Sequence, residues 1–322
     1  MSLSYDPDSL DKKTYFIGGM NVNVYNVDAL NEYVKSFDLK ESRGTKIPVH
    51  ILYLVHGRTR SARASEAYGY NVFKRYMEVT NNNVPLVFVT FDVSNHGARI
   101  VDRSKNLTWD EGNETHGIDQ LSIIDQTLGN LRTIIEYLPG YLNLDIQFAE
   151  NDEYKLEFVN ILSGVSLGGH VVLRMASKFP QYVDILNPVI SCSNLSSMSL
   201  DRLLKIPPTK DTRRYLMEYK ELNLDLQQRK MYPKSFHELL KYTDIELLNN
   251  FPYEIPMFAA YGVEDKLVPY VYSEDFLIKY GQKNPLLEVF QQEDKGHEVS
   301  IEMCHKFAEW LAEILAAYTK SI

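Results

Sequence analysis

Phe158-Val159-Asn160-Ile161-Leu162-Ser163-Gly164-Val165-Ser166-Leu167-Gly168-Gly169-His170 is an apolar run that ends in Gly-Val-Ser-Leu-Gly and passes into a segment closed by Pro180. Its first half suits a strand covered on both faces, and its second half suits a helix that the proline ends. Between them the two glycines at 164 and 168 bracket a serine. A sharp turn there needs small residues, because side chains at those two positions collide across it. Such a turn holds the serine hydroxyl clear of the sheet and points the next amide, that of Leu167, along a helix N-terminus toward a developing negative charge. The bare Gly-x-Ser-x-Gly string is a weak signal; its strand-turn-helix setting makes it informative.

Outward from this turn the chain alternates strands and helices. Short apolar runs fall at 49–55, 86–91, 156–162, 189–190, 257–261 and 286–290, each bounded by Gly, Pro or Asn. Helix-like segments at 64–79, 118–138, 168–179, 270–280 and 299–318 lie between or after them. Leu121, Ile124, Leu128, Leu131 and Ile135 step by three and four, and Met303, Phe307, Trp310, Leu311 and Ile314 form a similar stripe, so each helix has a face for a core. Runs 15–17 and 22–27 around Gly18-Gly19-Met20-Asn21 read as a hairpin. The pattern predicts an α/β fold with a mostly parallel central sheet flanked by helices. Two stretches interrupt it. The 97–117 stretch is a long polar connection holding Trp109, and connections of that length are often functional. The charged, Leu- and Tyr-rich 195–250 stretch, with Pro207-Pro208 and Pro233, reads as a helical insertion, which divides the chain into a core of 1–194 plus 251–322 and a lid of 195–250.

A serine hydroxyl needs a base to become a nucleophile, and the base needs an acid to orient it. Both follow in order. Asp265 sits in the loop after the 257–261 strand, and Gly296-His297 lies between the last strand and the last helix. The order Ser166, Asp265, His297 is that of α/β-hydrolases and differs from the orders of the two unrelated serine-protease folds. Together with Leu54-Val55-His56-Gly57, Phe91-Asp92-Val93-Ser94-Asn95-His96-Gly97 and the Gly262 to Pro269 loop, these pieces resemble an α/β-hydrolase-fold serine hydrolase of the esterase, lipase and thioesterase superfamily. The resemblance runs from Val49 to the C-terminal helix. The stretch from Asp92 to Asp102 is also similar to poorly characterised fungal members. The resemblance implies that the residue after His-Gly, here Arg58, gives the second oxyanion amide beside that of Leu167. Serine rather than aspartate at 166 argues against the epoxide-hydrolase and haloalkane-dehalogenase branches.

Alternatives stand beside these assignments. Glu264 adjoins Asp265, and some relatives place the acid after the preceding strand, where Asn194 and Asp201 stand. His56, His96 and His170 read as structural histidines. Arg58, Arg60 and Arg63 either read a carboxylate or phosphate on the substrate or pair with loop acids such as Asp92 and Asp102. Trp109, Tyr261 and the apolar residues of the insertion either line an acyl pocket or attach the insertion to the sheet. Gly57, Arg60 and Trp109 complete the candidate substrate-binding set.

Composition sets the outer bounds. The 322 residues are 44% apolar and 24% charged, as in ordinary globular chains, and the net charge of −9 removes the electrostatic grip that nucleic-acid binding needs. The start shows no apolar stretch suited to a secretory signal, and no run reaches the roughly 18 apolar residues of a spanning helix. Cys192 and Cys304 lack metal-type spacing and read as reduced thiols, which together with the absent signal predicts a cytoplasmic protein. The expectation is an esterase, lipase or thioesterase acting on a small-molecule acyl ester or thioester, with no metal and no cofactor. Two other readings stay open: an acyltransferase with the same three residues, and a hydrolase-like protein that only binds a ligand. Acyl length, alcohol group and oligomeric state are not written in the chain.

Overall fold

The computed structural model describes residues 3–6, 9–37, 46–148, 154–209 and 213–321. Its centre is an eight-stranded sheet formed by β1 (Lys12–Ile17), β2 (Met20–Tyr25), β3 (Lys46–Val55), β4 (Leu86–Phe91), β5 (Lys155–Val165), β6 (Ile185–Val189), β7 (Met257–Gly262) and β8 (Leu287–Gln292). The strand order is β1-β2-β4-β3-β5-β6-β7-β8. β1 pairs antiparallel with β2 and β2 antiparallel with β4, while the pairs from β4 to β8 are all parallel. The predicted α/β class and mostly parallel sheet are therefore observed, with the hairpin turning at Gly18 and Gly19, both at positive φ.

Burial explains the parallel centre. Every residue of β4 and all but the first of β3 are buried, so these strands carry apolar side chains on both faces and need helices on each side. The α-helices of the described residues are α1 (Val27–Lys35), α2 (Ala62–Val79), α3 (His116–Leu142), α4 (Leu167–Lys178), α5 (Leu195–Leu204), α6 (Leu226–Met231), α7 (Lys234–Asn250), α8 (Val271–Gly281) and α9 (Ile301–Ser321). The 121/124/128/131/135 stripe of α3 lies in one core cluster, and the 303/307/310/311/314 stripe of α9 lies in the other. Fully burying each such side chain contributes roughly 1.5–3 kcal/mol.

Three elements differ from the sequence reading. The helix α1 begins at Val27, which the hairpin reading had placed in a strand; Asn26 in the left-handed region breaks the strand there. The strand β6 starts four residues earlier than its apolar pair suggested, because Asn187 and Pro188 dilute a run that is nonetheless entirely buried. The 97–117 connection is structured, with short 3-10 turns at Gly97–Arg99 and Arg103–Asn106.

The 195–250 stretch leaves the sheet between β6 and β7 and contains α5, α6, α7 and short 3-10 turns. It is fastened to α4 from below. Arg174 Nη2 donates to Asp244 Oδ1 at 2.7 Å with both side chains essentially inaccessible, and the Ser196 amide donates to Asp244 Oδ2 at 2.6 Å. No helix among the described residues is long and apolar enough to cross a membrane.

Candidate active site

The turn after β5 has the backbone its sequence demanded. Ser166 sits at φ 54°, ψ −113°, a strained combination for a residue with a side chain. A β-carbon at 168 would lie 2.0 Å from the Val55 carbonyl oxygen, and one at 164 would lie 2.1 Å from the Gly168 carbonyl oxygen, so only glycine fits either place. The Ser166 amide donates to Val189 O at 2.9 Å, and its own carbonyl accepts from the amides of Gly169 at 2.9 Å and His170 at 3.2 Å as α4 begins. The strain is thus held from the end of β6 and from the first turn of α4.

The loops after β7 and β8 bring the other two side chains to this turn. The two loops are joined directly, with the Glu264 amide donating to Lys295 O at 2.8 Å. Asp265 is buried; its Oδ1 accepts from the amides of Leu267 and Val268, each at 2.8 Å, which fixes the carboxylate plane. Its Oδ2 lies 2.8 Å from His297 Nδ1, and His297 Nε2 lies 2.8 Å from Ser166 Oγ. Residues 99 and 131 positions away from Ser166 in the chain thus form one line of hydrogen bonds with it. The His297 side chain keeps 20% of its surface exposed, while the Asp265 side chain is almost fully covered.

The competing residues are occupied elsewhere. Asp201 accepts from Arg214 and, at 2.9 Å, from the Tyr272 hydroxyl. Asn194 caps α5 by accepting from the Ser197 amide at 3.0 Å, and Glu264 is exposed. His56 donates from Nδ1 to Gly57 O at 2.8 Å and accepts at Nε2 from the Val93 amide at 3.0 Å, so both nitrogens are committed. His96 Nδ1 lies 2.8 Å from Ser94 O, and His170 Nδ1 lies 2.9 Å from Cys192 O. Burial holds His56 down to about 4 and His170 down to about 3, so both are neutral at pH 7.

Gly57 lies against the serine: a β-carbon there would be 3.4 Å from Ser166 Cβ and 3.3 Å from Val165 O. The next amide is that of Arg58. Among the described residues, neither this amide nor that of Leu167 donates to another group of the protein.

The expected pairing of the loop arginines with Asp92 or Asp102 needs correction. Neither Asp92 nor Asp102 pairs with Arg58, Arg60 or Arg63. Asp92 instead accepts from the amides of Ala62 at 2.7 Å and Ala98 at 2.8 Å, and Asp102 accepts from Ser104. Arg58 Nη1 donates to the Asn106 carbonyl at 2.5 Å, Arg63 reaches the Tyr5 hydroxyl at 3.2 Å, and Arg60 is exposed. Loop acids are consumed by backbone amides because a polar loop folded on itself must satisfy its own N–H groups first. Tyr261 is only 2% exposed and packs edge-on against Tyr270, so it lines no open pocket. Trp109 packs edge-on against His116, and its ring and that of Phe236 from α7 both border Gly117, so it joins the 97–117 connection to the insertion.

Arg202 on α5 is a neighbour of the site that the sequence did not single out. Its Nη2 donates to the Leu267 carbonyl, in the same loop whose Leu267 amide holds Asp265. No spacing rule links position 202 to position 265, so only the folded chain reveals it. Among the described residues no group of three or more His, Cys, Asp or Glu side chains could hold a metal ion, and both cysteines are free and buried.

The strand order, the strained serine at the end of β5 and the loops after β7 and β8 define the α/β-hydrolase fold. Solved structures agree. The chain is similar to TT1662 from Thermus thermophilus (TM-score 0.55, 14% identity, 94% of this chain and 97% of that one). It is also similar to the esterase Pf2001 from Pyrococcus furiosus (TM-score 0.51, 15% identity, 98% and 96% covered). A third similar structure is α/β-hydrolase domain-containing protein 10 from mouse (TM-score 0.50, 15% identity, 96% and 99% covered). No protein-family model matches the chain, and no curated protein resembles it in sequence. These three neighbours come from a bacterium, an archaeon and a mouse, so the fungal likeness of the 92–102 stretch finds no support among them.

Proposed function

We propose that the chain is a serine hydrolase that cleaves a small-molecule carboxylic ester or thioester. Ser166 Oγ attacks the acyl carbon while His297 Nε2 takes its proton. Asp265 keeps the proton on His297 Nδ1 and stabilises the imidazolium that forms. The amides of Leu167 and Arg58 receive the charge on the carbonyl oxygen. His297 then returns the proton to the departing alkoxide or thiolate, leaving an acyl-Ser166 ester. A water molecule, deprotonated by His297, attacks that ester, and the carboxylic acid leaves as Ser166 regains its proton. The 195–250 helices serve as the lid over this site, on a core of 1–194 and 251–322.

The observation that carries this reading is the pair of 2.8 Å contacts from Asp265 through His297 to Ser166. The esterase named among the similar structures supports hydrolysis as the reaction class. A fluorophosphonate probe tests it: the wild type labels at Ser166, and Ser166→Ala, folded by circular dichroism, neither labels nor hydrolyses p-nitrophenyl esters. A folded wild-type protein that takes no label, or a Ser166→Ala variant that keeps turning over esters, overturns the proposal.

A further inference from the structure

Two arginines lie near the Ser166 site, one next to Gly57, which packs against the serine, and one hydrogen-bonded to the loop that holds Asp265. Arg58 follows Gly57 at the serine and reaches into the 97–117 connection, where it uses one donor on Asn106 O. Arg202 comes from α5 and uses one donor on Leu267 O, in the loop whose amides hold Asp265. The α5 helix also meets the 97–117 connection through Lys205 at its end, whose Nζ lies 3.1 Å from Asp110. A guanidinium carries five N–H donors, so most of each fork is unused.

Neither arginine forms an ion pair with a carboxylate among the described residues, although acids are near. Glu111 lies within the electrostatic reach of Arg58, but its carboxylate accepts from the Thr108 amide and hydroxyl, each at 2.8 Å. Asp265 lies within reach of Arg202, but it is committed to His297 and two amides. The two positive charges also act on each other. Burial, then Arg58 and Arg202 together, hold the inaccessible His116 down to about 4, so this imidazole stays neutral. Trp109 Nε1, buried in the same connection, has no acceptor among the described residues. Like charges held close together and half out of water, without counter-charges, are costly for a fold that gains nothing from them.

We propose that Arg58 and Arg202 form an anion site beside Ser166, so that the preferred ester carries a carboxylate or phosphate a few bonds from the scissile carbonyl. The inference rests on the hydrolase reading and adds the substrate class to it. Planar forks with donors to spare suit bidentate capture of such a group, and the neutral His116 adds no competing charge.

The test compares p-nitrophenyl hydrogen glutarate with p-nitrophenyl valerate, which places the anion on the acyl side. A second arm compares the acetyl ester of glycerol phosphate with glyceryl acetate, which places it on the alcohol side. In at least one arm the wild type favours the anionic ester by tenfold or more in kcat/KM. There Arg202→Gln and Arg58→Gln each cut the ratio about tenfold through KM, Arg202→Lys restores part of it, and 0.5 M salt lowers it. If Arg202 only braces the Asp265 loop, Arg202→Gln lowers kcat for both esters of a pair alike; that result, or no wild-type preference in either arm, overturns the inference while Ser166 labelling leaves the hydrolase reading intact. Calorimetric binding of glutarate and of inorganic phosphate to Ser166→Ala reads the arginines without turnover. Absence of any arginine-dependent binding there also overturns it.

Discussion

At the scale of single residues, the proposed mechanism divides labour between groups that react and groups that hold them. Asp265 accepts two loop amides through one oxygen and the imidazole through the other, so removing its charge leaves the loop geometry largely intact. Under the proposed mechanism, Asp265→Asn lowers kcat by about 10⁴-fold with little change in KM, because an amide facing Nδ1 favours the wrong tautomer; steady-state kinetics on a neutral ester measures it. The serine and histidine were legible in the chain from their settings, and the acid from its loop. Arg202 was not, because its partner is a carbonyl 65 positions away and a carbonyl has no sequence signature.

At the scale of elements, the turn between β5 and α4 and the seat of α7 on α4 place everything else. Gly168→Ala forces a carbon against the Val55 carbonyl, a backbone atom that cannot swing aside. The expected outcome is loss of soluble protein, or of fluorophosphonate labelling in whatever remains folded, read by yield and gel fluorescence. The Arg174–Asp244 pair holds the insertion to α4, and burial raises the Asp244 carboxyl above its usual range even against the neighbouring arginine. Asp244→Ala leaves an inaccessible arginine without a counter-charge and is expected to cost about 3–5 kcal/mol in denaturant unfolding. The sequence marked 195–250 as helical and inserted, but it could not say that one aspartate on α7 would fasten it to α4. That contact depends on how the two helices cross.

At the scale of the molecule, buried neutral histidines make stability depend on pH. Burial lowers His50 and His56 to about 4, His116 to about 4 and His170 to about 3, while an unfolded histidine titrates near 6.5. Between those values the unfolded chain binds protons that the folded chain refuses, so stability is full above about pH 6.5 and falls as the solution is acidified toward 4. By pH 5 each such group costs of order 2 kcal/mol. Unfolding curves at pH 7 and pH 5 check the sum. His50 offers a clean single-site check, because both of its ring nitrogens are buried without a partner among the described residues. His50→Leu is expected to raise stability more at pH 5 than at pH 7.

What the chain alone determined was the alternation of doubly covered strands and one-faced helices, and the local turns that glycine and proline impose. These follow from period and backbone sterics, which act over a few residues and leave a direct trace in composition. What only the tertiary structure decided was which distant groups share the space above the sheet: the Asp265–His297–Ser166 line, the occupation of Asp92 and Asp201 by other partners, and the contact of Arg202 with the loop that holds Asp265. Such meetings are set by strand order and helix crossing. A side chain's long-range partner depends on the path of every residue between them, and no local pattern carries that information.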